Sequence, residues 1–311
     1  MYSHLDTIAV TDNWKTNPLQ LKIVADKAYG LGAWDMKAGI VANIITFLHF
    51  QPKNYKLRLC FCVDEENISQ GGYKLANSVF AKDVICVMSI EPAFQYGLQG
   101  IVIGRVGRAI YDVKFCCQAK HFAFYEKKFD INLAMAEFLT QLPTLSRNNN
   151  KNKQHVFARK IKSQAIGLSL PQETVIELDS ATFPATTHHQ VLQKIQKLAQ
   201  EIENKYENIA IQVSLKKRLT PYLESYQINT NKYLSYLTDS VSEITKKRAR
   251  SYFRSSVADD NIFANRIITL GIGPTGGNAH APNEWVSLSS IEKLSLILNR
   301  FLAKIDNNYV V

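Results

Sequence analysis

Carboxylates and histidines recur along this chain at the ends of hydrophobic runs, and their types suit a pair of divalent metal ions. The segments are His4-Leu5-Asp6-Thr7, Asp35-Met36-Lys37-Ala38-Gly39, Asp64-Glu65-Glu66 and Glu91-Pro92, with Gly273-Pro274 leading to His280 and Glu284 near the C-terminus. Two ions about 3.5–4 Å apart need one bridging carboxylate, one histidine each and usually one further carboxylate each. His4 and His280 are the candidate histidines; Asp35, Glu66 and Glu91 are the candidate carboxylates. Bound metal makes water acidic near neutral pH, and Glu65, left over beside a ligand, is placed to take the proton. The chemistry these residues suit is hydrolysis.

Bringing such residues together requires an open α/β sheet that presents them at the carboxyl ends of its strands. Over the first hundred residues the pattern alternates accordingly: a helix at 38–50, a strand at 57–63, a helix at 72–80 and a strand at 84–90. Past residue 107 it changes to strand 108–117, helix 131–142, an Asn/Lys-rich loop 146–153, strands 156–170 and 174–181, helix 187–205 and strand 209–215. A capping box from Thr187 to Gln190 opens the second of those helices. The order β-α-β-β-α-β describes a ferredoxin-like α+β domain. After Pro221 come a helix at 230–248, a polar turn at 255–261, a strand at 266–272 and a helix at 287–303. The expected fold is α/β: a discontinuous catalytic domain with a mostly parallel sheet (1–105 and 219–311) and an inserted lid domain (106–218).

Composition narrows the function classes. Of 311 residues 46% are hydrophobic and 21% charged, ordinary for a globular protein. No apolar run approaches the roughly 20 residues a membrane helix needs, and residues 1–7 lack signal-peptide character. The expected setting is the cytoplasm, without membrane attachment. The five cysteines form no C-x-x-C pair and read as buried thiols. The net charge of +10 is diffuse, spread over Lys151, Lys153, Lys216-Lys217-Arg218 and Lys246-Lys247-Arg248 without interleaved aromatics, so a nucleic-acid partner is not expected.

The segments also resemble, in order, the motifs of the dinuclear-zinc amidohydrolases and peptidases that include acetylornithine deacetylase, succinyl-diaminopimelate desuccinylase, aminoacylase and carboxypeptidase G. His4-Leu5-Asp6-Thr7 is similar to H-x-D-T, and residues 30–39 to G-x-G-x-x-D-M-K-G-G. Asp64-Glu65-Glu66 with Gly71-Gly72 is similar to D-E-E-x(4)-G-G, Glu91-Pro92 to E-P, and 273–284 to G-P-x(5)-H-x(2)-N-E. The resemblance implies that His4, Asp35 and Glu91 bind one metal and Asp35, Glu66 and His280 the other, with Asp35 bridging. It implies zinc first, cobalt or manganese as alternatives. Asp6 would hydrogen-bond the imidazole of His4, and Glu65 would move the proton from water to the leaving amine. The inserted domain would form a homodimer and send His121, followed by Asn132, to the neighbouring subunit's site as an oxyanion donor. His49, His155, His188 and His189 read as structural or surface residues.

Some words depart from the family pattern. Leu168-Ser169-Leu170-Pro171 stands where N-x-x-P is common, Asp179-Ser180-Ala181 where an arginine is common, and Asp259 is the acid of a polar turn replacing G-T-S-D. Family members carry several tens of residues before the first motif, whereas His4 lies close to Met1; a ligand so near a terminus is expected to be poorly held. The expected function is cleavage of the amide of a small N-acyl amino acid, the E-P form favouring the deacylase branch. A dipeptidase or carboxypeptidase-like activity is the alternative, and an inactive relative serving as a binding or dimerisation partner is the reading from another class.

Overall fold

The computed structural model describes residues 1–92, 94–149 and 152–308, with 147–149 and 152–154 described by backbone alone. The chain divides into two units, Met1–Arg105 with Gln227 onward, and Val106–Tyr226. The first unit begins with β1 (Tyr2–His4), β2 (Lys22–Val24), β3 (Lys27–Tyr29), α1 (Ala38–His49), β4 (Cys60–Cys62), α2 (Gln70–Ala76), β5 (Cys86–Ser89) and β6 (Gly100–Arg105). The second holds β7 (Gly107–Cys117), α3 (Ile131–Gln141), β8 (Arg147–Asn149), β9 (Asn152–Ser163), β10 (Glu173–Thr182), α4 (His188–Glu203) and β11 (Ile209–Leu215). The chain returns through β12 (Tyr226–Gln227), α5 (Lys232–Thr245), β13 (Arg250–Arg254), α6 (Asp260–Ala264), β14 (Ile268–Gly271), β15 (Gly276–Gly277), β16 (Trp285–Ser287) and α7 (Leu288–Asn307).

What positions the site is the strand order β6-β14-β5-β1-β4 in the first unit. β4 and β5 flank β1 in parallel, and β14 lies parallel to β5. Four neighbouring strands therefore end on the same side, each leading into one of the acid or histidine segments. Helix α1 is held close by its small inward residues Ala38, Gly39, Ala42, Asn43 and Thr46, spaced for one helical face. A side chain at Gly39 would strike the carbonyl of Ile90, so glycine is what lets the start of α1 approach the end of β5. Helix α7 lays Leu294, Leu298 and Phe301 into the same core as Leu237 and Val241 of α5, each such burial contributing about 1.5–3 kcal/mol at most.

In the second unit the antiparallel sheet runs β11-β7-β10-β9-β8. Ala109, Tyr111, Val113 and Phe115 alternate inward along β7 and meet Ile131, Phe138, Val191 and Ile195 of the helices. The capping box at Thr187 forms as the sequence suggests. Residues 219–226, expected with the first unit, stay with the second, because the carbonyl of Leu223 accepts from the Arg108 N–H at 2.9 Å and from His188 Nε2 at 2.9 Å.

Several elements differ from the sequence reading. The 57–63 run narrows to β4, which has only three residues of β1 to pair with. The helix read at 72–80 is α2 followed by a 3-10 turn, Val79–Ala81. The 146–153 loop is in part a hairpin of β8 and β9, Asn150 and Lys151 lying outside the described residues. The 156–170 strand stops at Ser163, before a turn containing Gly167 at φ 57°. The 230–248 helix ends at Thr245 because Lys246 turns left-handed at φ 57°, and β13, absent from the sequence reading, follows. Among the described residues no helix is long and apolar enough to cross a membrane.

Candidate metal centre

His4 is the last residue of β1 and fully buried, and its N–H points at Met36 Sδ, 3.1 Å away. The expectation that it would be poorly held does not survive: a strand paired on both sides fixes it. Its Nδ1 lies 3.0 Å from the main-chain carbonyl of Asp6 and 3.5 Å from the Asp6 carboxylate, so the main-chain oxygen is the nearer acceptor. With Nδ1 engaged there, Nε2 is the nitrogen left to face the carboxylates. The Asp6 carboxylate instead accepts the N–H of Glu66 at 3.1 Å.

Asp35 sits on a turn, Ala33–Lys37, that joins β3 to α1. Gly32 enters this turn at φ 71°, where a side chain would meet Thr7. The buried carboxylate of Glu284 fastens the turn: it accepts the N–H of Gly32 at 2.7 Å and those of Trp34 and Asp35 at 2.8 Å. Trp34 Nε1 donates to the Pro274 carbonyl at 2.8 Å, tying the turn to the Gly273-Pro274 segment. Glu65 and Glu66 follow β4 on a loop organised by Asp64, which accepts from Asn67 Nδ2 at 2.9 Å and the Gln70 N–H at 3.0 Å. Glu91 lies just past β5, and His280 on the segment after β14.

These side chains converge around the two oxygens of Asp35. His4 Nε2 is 3.5 Å from Asp35 Oδ1 and 3.6 Å from Glu91 Oε1. His280 Nε2 is 3.4 Å from Asp35 Oδ2 and 2.8 Å from Glu66 Oε1. His4, Asp35 and Glu66 offer ligand atoms within 4.8 Å of one another. Glu65 Oε2 stands 3.8 Å from His4 Nε2, with 10% of its side chain exposed.

The donor set fits divalent ions. Ligands 2.0–2.1 Å from a tetrahedral ion stand roughly 3.3 Å apart, close to the separations around Asp35 and too long for firm hydrogen bonds. His4 Nε2, Asp35 Oδ1 and Glu91 Oε1 are all buried without a hydrogen-bond partner, a costly arrangement unless something else partners them. The titration behaviour agrees. Burial alone would lower His4, yet Asp35, Asp6, Glu91 and Glu65 outweigh it and push the imidazole up to about 12. Burial, then the charge of Asp35, pushes Glu91 up to about 7, and burial with the charge of Glu91 raises Glu65 strongly. Burial would also raise Asp35, but His280 and His4 hold it below the usual range. The cluster carries more negative charge than its histidines balance, and positive ions relieve it.

His121 belongs to the second unit. It is exposed, packs on Phe122 and accepts the Ala123 N–H on Nδ1 at 3.3 Å. The Asn132 side chain accepts from Ser163 and Thr174 at 2.7 and 2.9 Å, and Asp179 is engaged by Arg108 at 2.6 Å. The sequence reading missed Arg105 and Arg254, both buried and both 3.6 Å from Glu91 Oε2. The signal for Arg105 was a charge closing the apolar run 100–104; Arg254, in a segment that already carries Arg250 and Ser251, gave none. It also missed Tyr2, whose hydroxyl donates to Asp259 at 2.5 Å.

Known proteins share this arrangement of the chain. A probable succinyl-diaminopimelate desuccinylase of Staphylococcus aureus (strain Mu50 / ATCC 700699) is 34% identical over 95 residues, 29% of this chain; the match spans only 24% of that relative's length. The succinyl-diaminopimelate desuccinylase of Sulfurovum sp. (strain NBC37-1) is 22% identical over 302 residues, covering 94% of this chain and 79% of the relative. The Bacillus subtilis YXEP protein, described as a dinuclear metal binding peptidase, shares the fold with a TM-score of 0.74 at 13% identity, over 99% of this chain and 81% of its own. The model of peptidase family M20/M25/M40 matches residues 1–304, and the chain belongs to that family.

Proposed function

We propose that this chain is a hydrolase that uses two divalent metal ions to cleave the amide bond of a small N-acyl amino acid. The observation that carries the reading is the placing of one histidine and one glutamate at each oxygen of Asp35. His4, Asp35 and Glu91 would hold one ion, and Asp35, Glu66 and His280 the other, Asp35 bridging. Imidazole and carboxylate donors suit zinc first, with cobalt and manganese as alternatives. When bound, such a pair supplies Lewis acidity that makes water a nucleophile near neutral pH and polarises the amide carbonyl.

The remaining steps belong to the chain's own groups. Glu65, basic because it is buried beside Glu91, takes a proton from water as its oxygen attacks the amide carbon. When the C–N bond breaks, Glu65 returns that proton to the departing nitrogen, and the second proton of the water passes from the new carboxyl group to the amine, giving a carboxylate and an ammonium. Asp6, holding the Nδ1 side of His4 and the N–H of Glu66, orients one ligand for each ion.

The second unit reads as the lid and homodimerisation domain of a ferredoxin-like type. Its strand order and two covering helices support this, as does the family resemblance. His121 is the oxyanion donor: with Nδ1 accepting from Ala123, the proton lies on Nε2, which then donates. A cytoplasmic setting suits five unpaired cysteines.

The desuccinylase relative along 94% of the chain favours an N-acyl substrate; the peptidase described for the B. subtilis neighbour favours short peptides as the second reading. The test is metal content of the purified chain with hydrolysis of N-acetyl and N-succinyl amino acids and of dipeptides in the same preparation. Two metal equivalents and preferred cleavage of the acyl substrates are expected. Preferred cleavage of dipeptides selects the second reading, and a folded chain that takes up no metal refutes both.

A further inference from the structure

Arg254 ends β13 and Arg105 ends β6, and the two face each other as register partners on parallel strands. Like charges directly opposite in a sheet repel, and burying both adds a desolvation cost of several kcal/mol per ion. Arg105 is 0% exposed and is met by Asp260, also 0% exposed, through its Nε at 2.7 Å and by Ser256 through Nη1 at 3.2 Å. That pair accounts for one positive charge. Arg254 is 5% exposed; its guanidinium lies over the Phe94 ring at 3.9 Å and donates through Nη1 to the Pro92 carbonyl at 3.1 Å. The anion it meets is Glu91, whose Oε2 lies 3.6 Å from Arg254 Nη1 and 3.6 Å from Arg105 Nη2. The other oxygen, Oε1, faces His4 Nε2 at 3.6 Å.

Resting on the metal-centre reading given above, we propose that Arg254, backed by Arg105, is a positioning residue that restrains Glu91 to a single-oxygen, weakened ligand. With two guanidinium groups at ion-pair distance of Oε2, Glu91 is drawn to turn Oε1 alone toward the ion, and its electron density is pulled back from the metal. The ion at His4 and Glu91 is thereby bound less tightly than its donor set allows, and keeps room in its coordination sphere for substrate. A purely structural role for Arg254 predicts the opposite effect of removing it, since a loosened ligand binds metal less well.

The test is titration of the metal-free full chain with cobalt(II), following visible absorption and measuring affinity by competition with a chelator. In Arg254→Met, Glu91 is free to grip with both oxygens and a like charge near the ion is gone. One cobalt should bind about tenfold more tightly, a change opposite in sign to the loss of about 10–100-fold seen when a group that supports a ligand is removed, and its visible absorption should weaken as coordination number rises. Arg254→Lys, which keeps the charge, should stay near wild type. Affinity that is unchanged or weaker in Arg254→Met overturns the proposal. If that variant does not fold, Arg254→Gln, whose amide can still reach Pro92, decides on the same criteria. A wild-type chain that binds no cobalt refutes the metal-centre reading itself, which separates the two failures.

Discussion

Replacing Glu284 by Gln tests whether the turn carrying Asp35 is held in place by one buried carboxylate. Oε1 accepts the N–H groups of Trp34 and Asp35, and Oε2 accepts that of Gly32. Glutamine keeps a carbonyl for two of these donors but must turn its NH2 toward the third. The Gly32 bond is lost and two donors are left facing each other. A hydrogen bond to a charged group contributes about 1.5–3 kcal/mol, so local opening of 32–35 should become easier by at least that amount. At 1.4 kcal/mol per factor of ten, amide exchange of this segment should accelerate roughly 10- to 100-fold. Glu284→Ala, which loses all three bonds, should bring exchange of this segment close to that of an unprotected amide. Hydrogen–deuterium exchange by mass spectrometry on peptides spanning 30–37 reads this without substrate or metal. Exchange of Gly32, Trp34 and Asp35 at the wild-type rate in Glu284→Gln would show that the turn is held by other means.

Glu65→Gln keeps the size of the side chain but removes the base, so turnover should fall about 10²–10⁴-fold with metal content near wild type; full activity would end the base assignment. His121→Ala should lower kcat on the order of 10²-fold with little change in KM, because the donor acts on charge that develops in the transition state; an unchanged kcat would leave it a surface residue. His188 is a buried group that makes the stability of the second unit depend on pH. Burial lowers its pKa, and the charge of Glu224, 3.7 Å away but half exposed, opposes this without winning. With a folded pKa below the unfolded value of about 6.5, the neutral side chain gives full stability above that pH and loses it as pH falls below it. Thermal unfolding of wild type between pH 7.5 and 5 should therefore drop more than that of His188→Gln, and parallel curves would rule this out.

Much of the candidate metal centre was legible because its residues stand in segments that strands must deliver. His4, Glu65, Glu66, Glu91 and His280 each follow a hydrophobic run, and the parallel order β14-β5-β1-β4 gathers the ends of those runs on one side. Glu284 could be picked out as a motif residue, but not its task, since the carboxylate acts on backbone donors some 250 positions away. The small sheet of β2, β3, β15 and β16 left no trace: strands of two or three residues are too short to show a period.

Arg105 and Arg254 mark a deeper limit. Neither strand was read from the sequence, and taken singly each arginine looks like an ordinary polar residue at the edge of the core. Only the register that sets them opposite each other turns two strand ends into a concentrated positive charge. That charge then needs two carboxylates, and one of the two available is a candidate metal ligand. The candidate ligands are thus written locally, in acids and histidines at strand ends. How firmly a ligand is allowed to grip is written in the pairing of distant strands, and that is where specificity and rate have room to be tuned without touching the ligands.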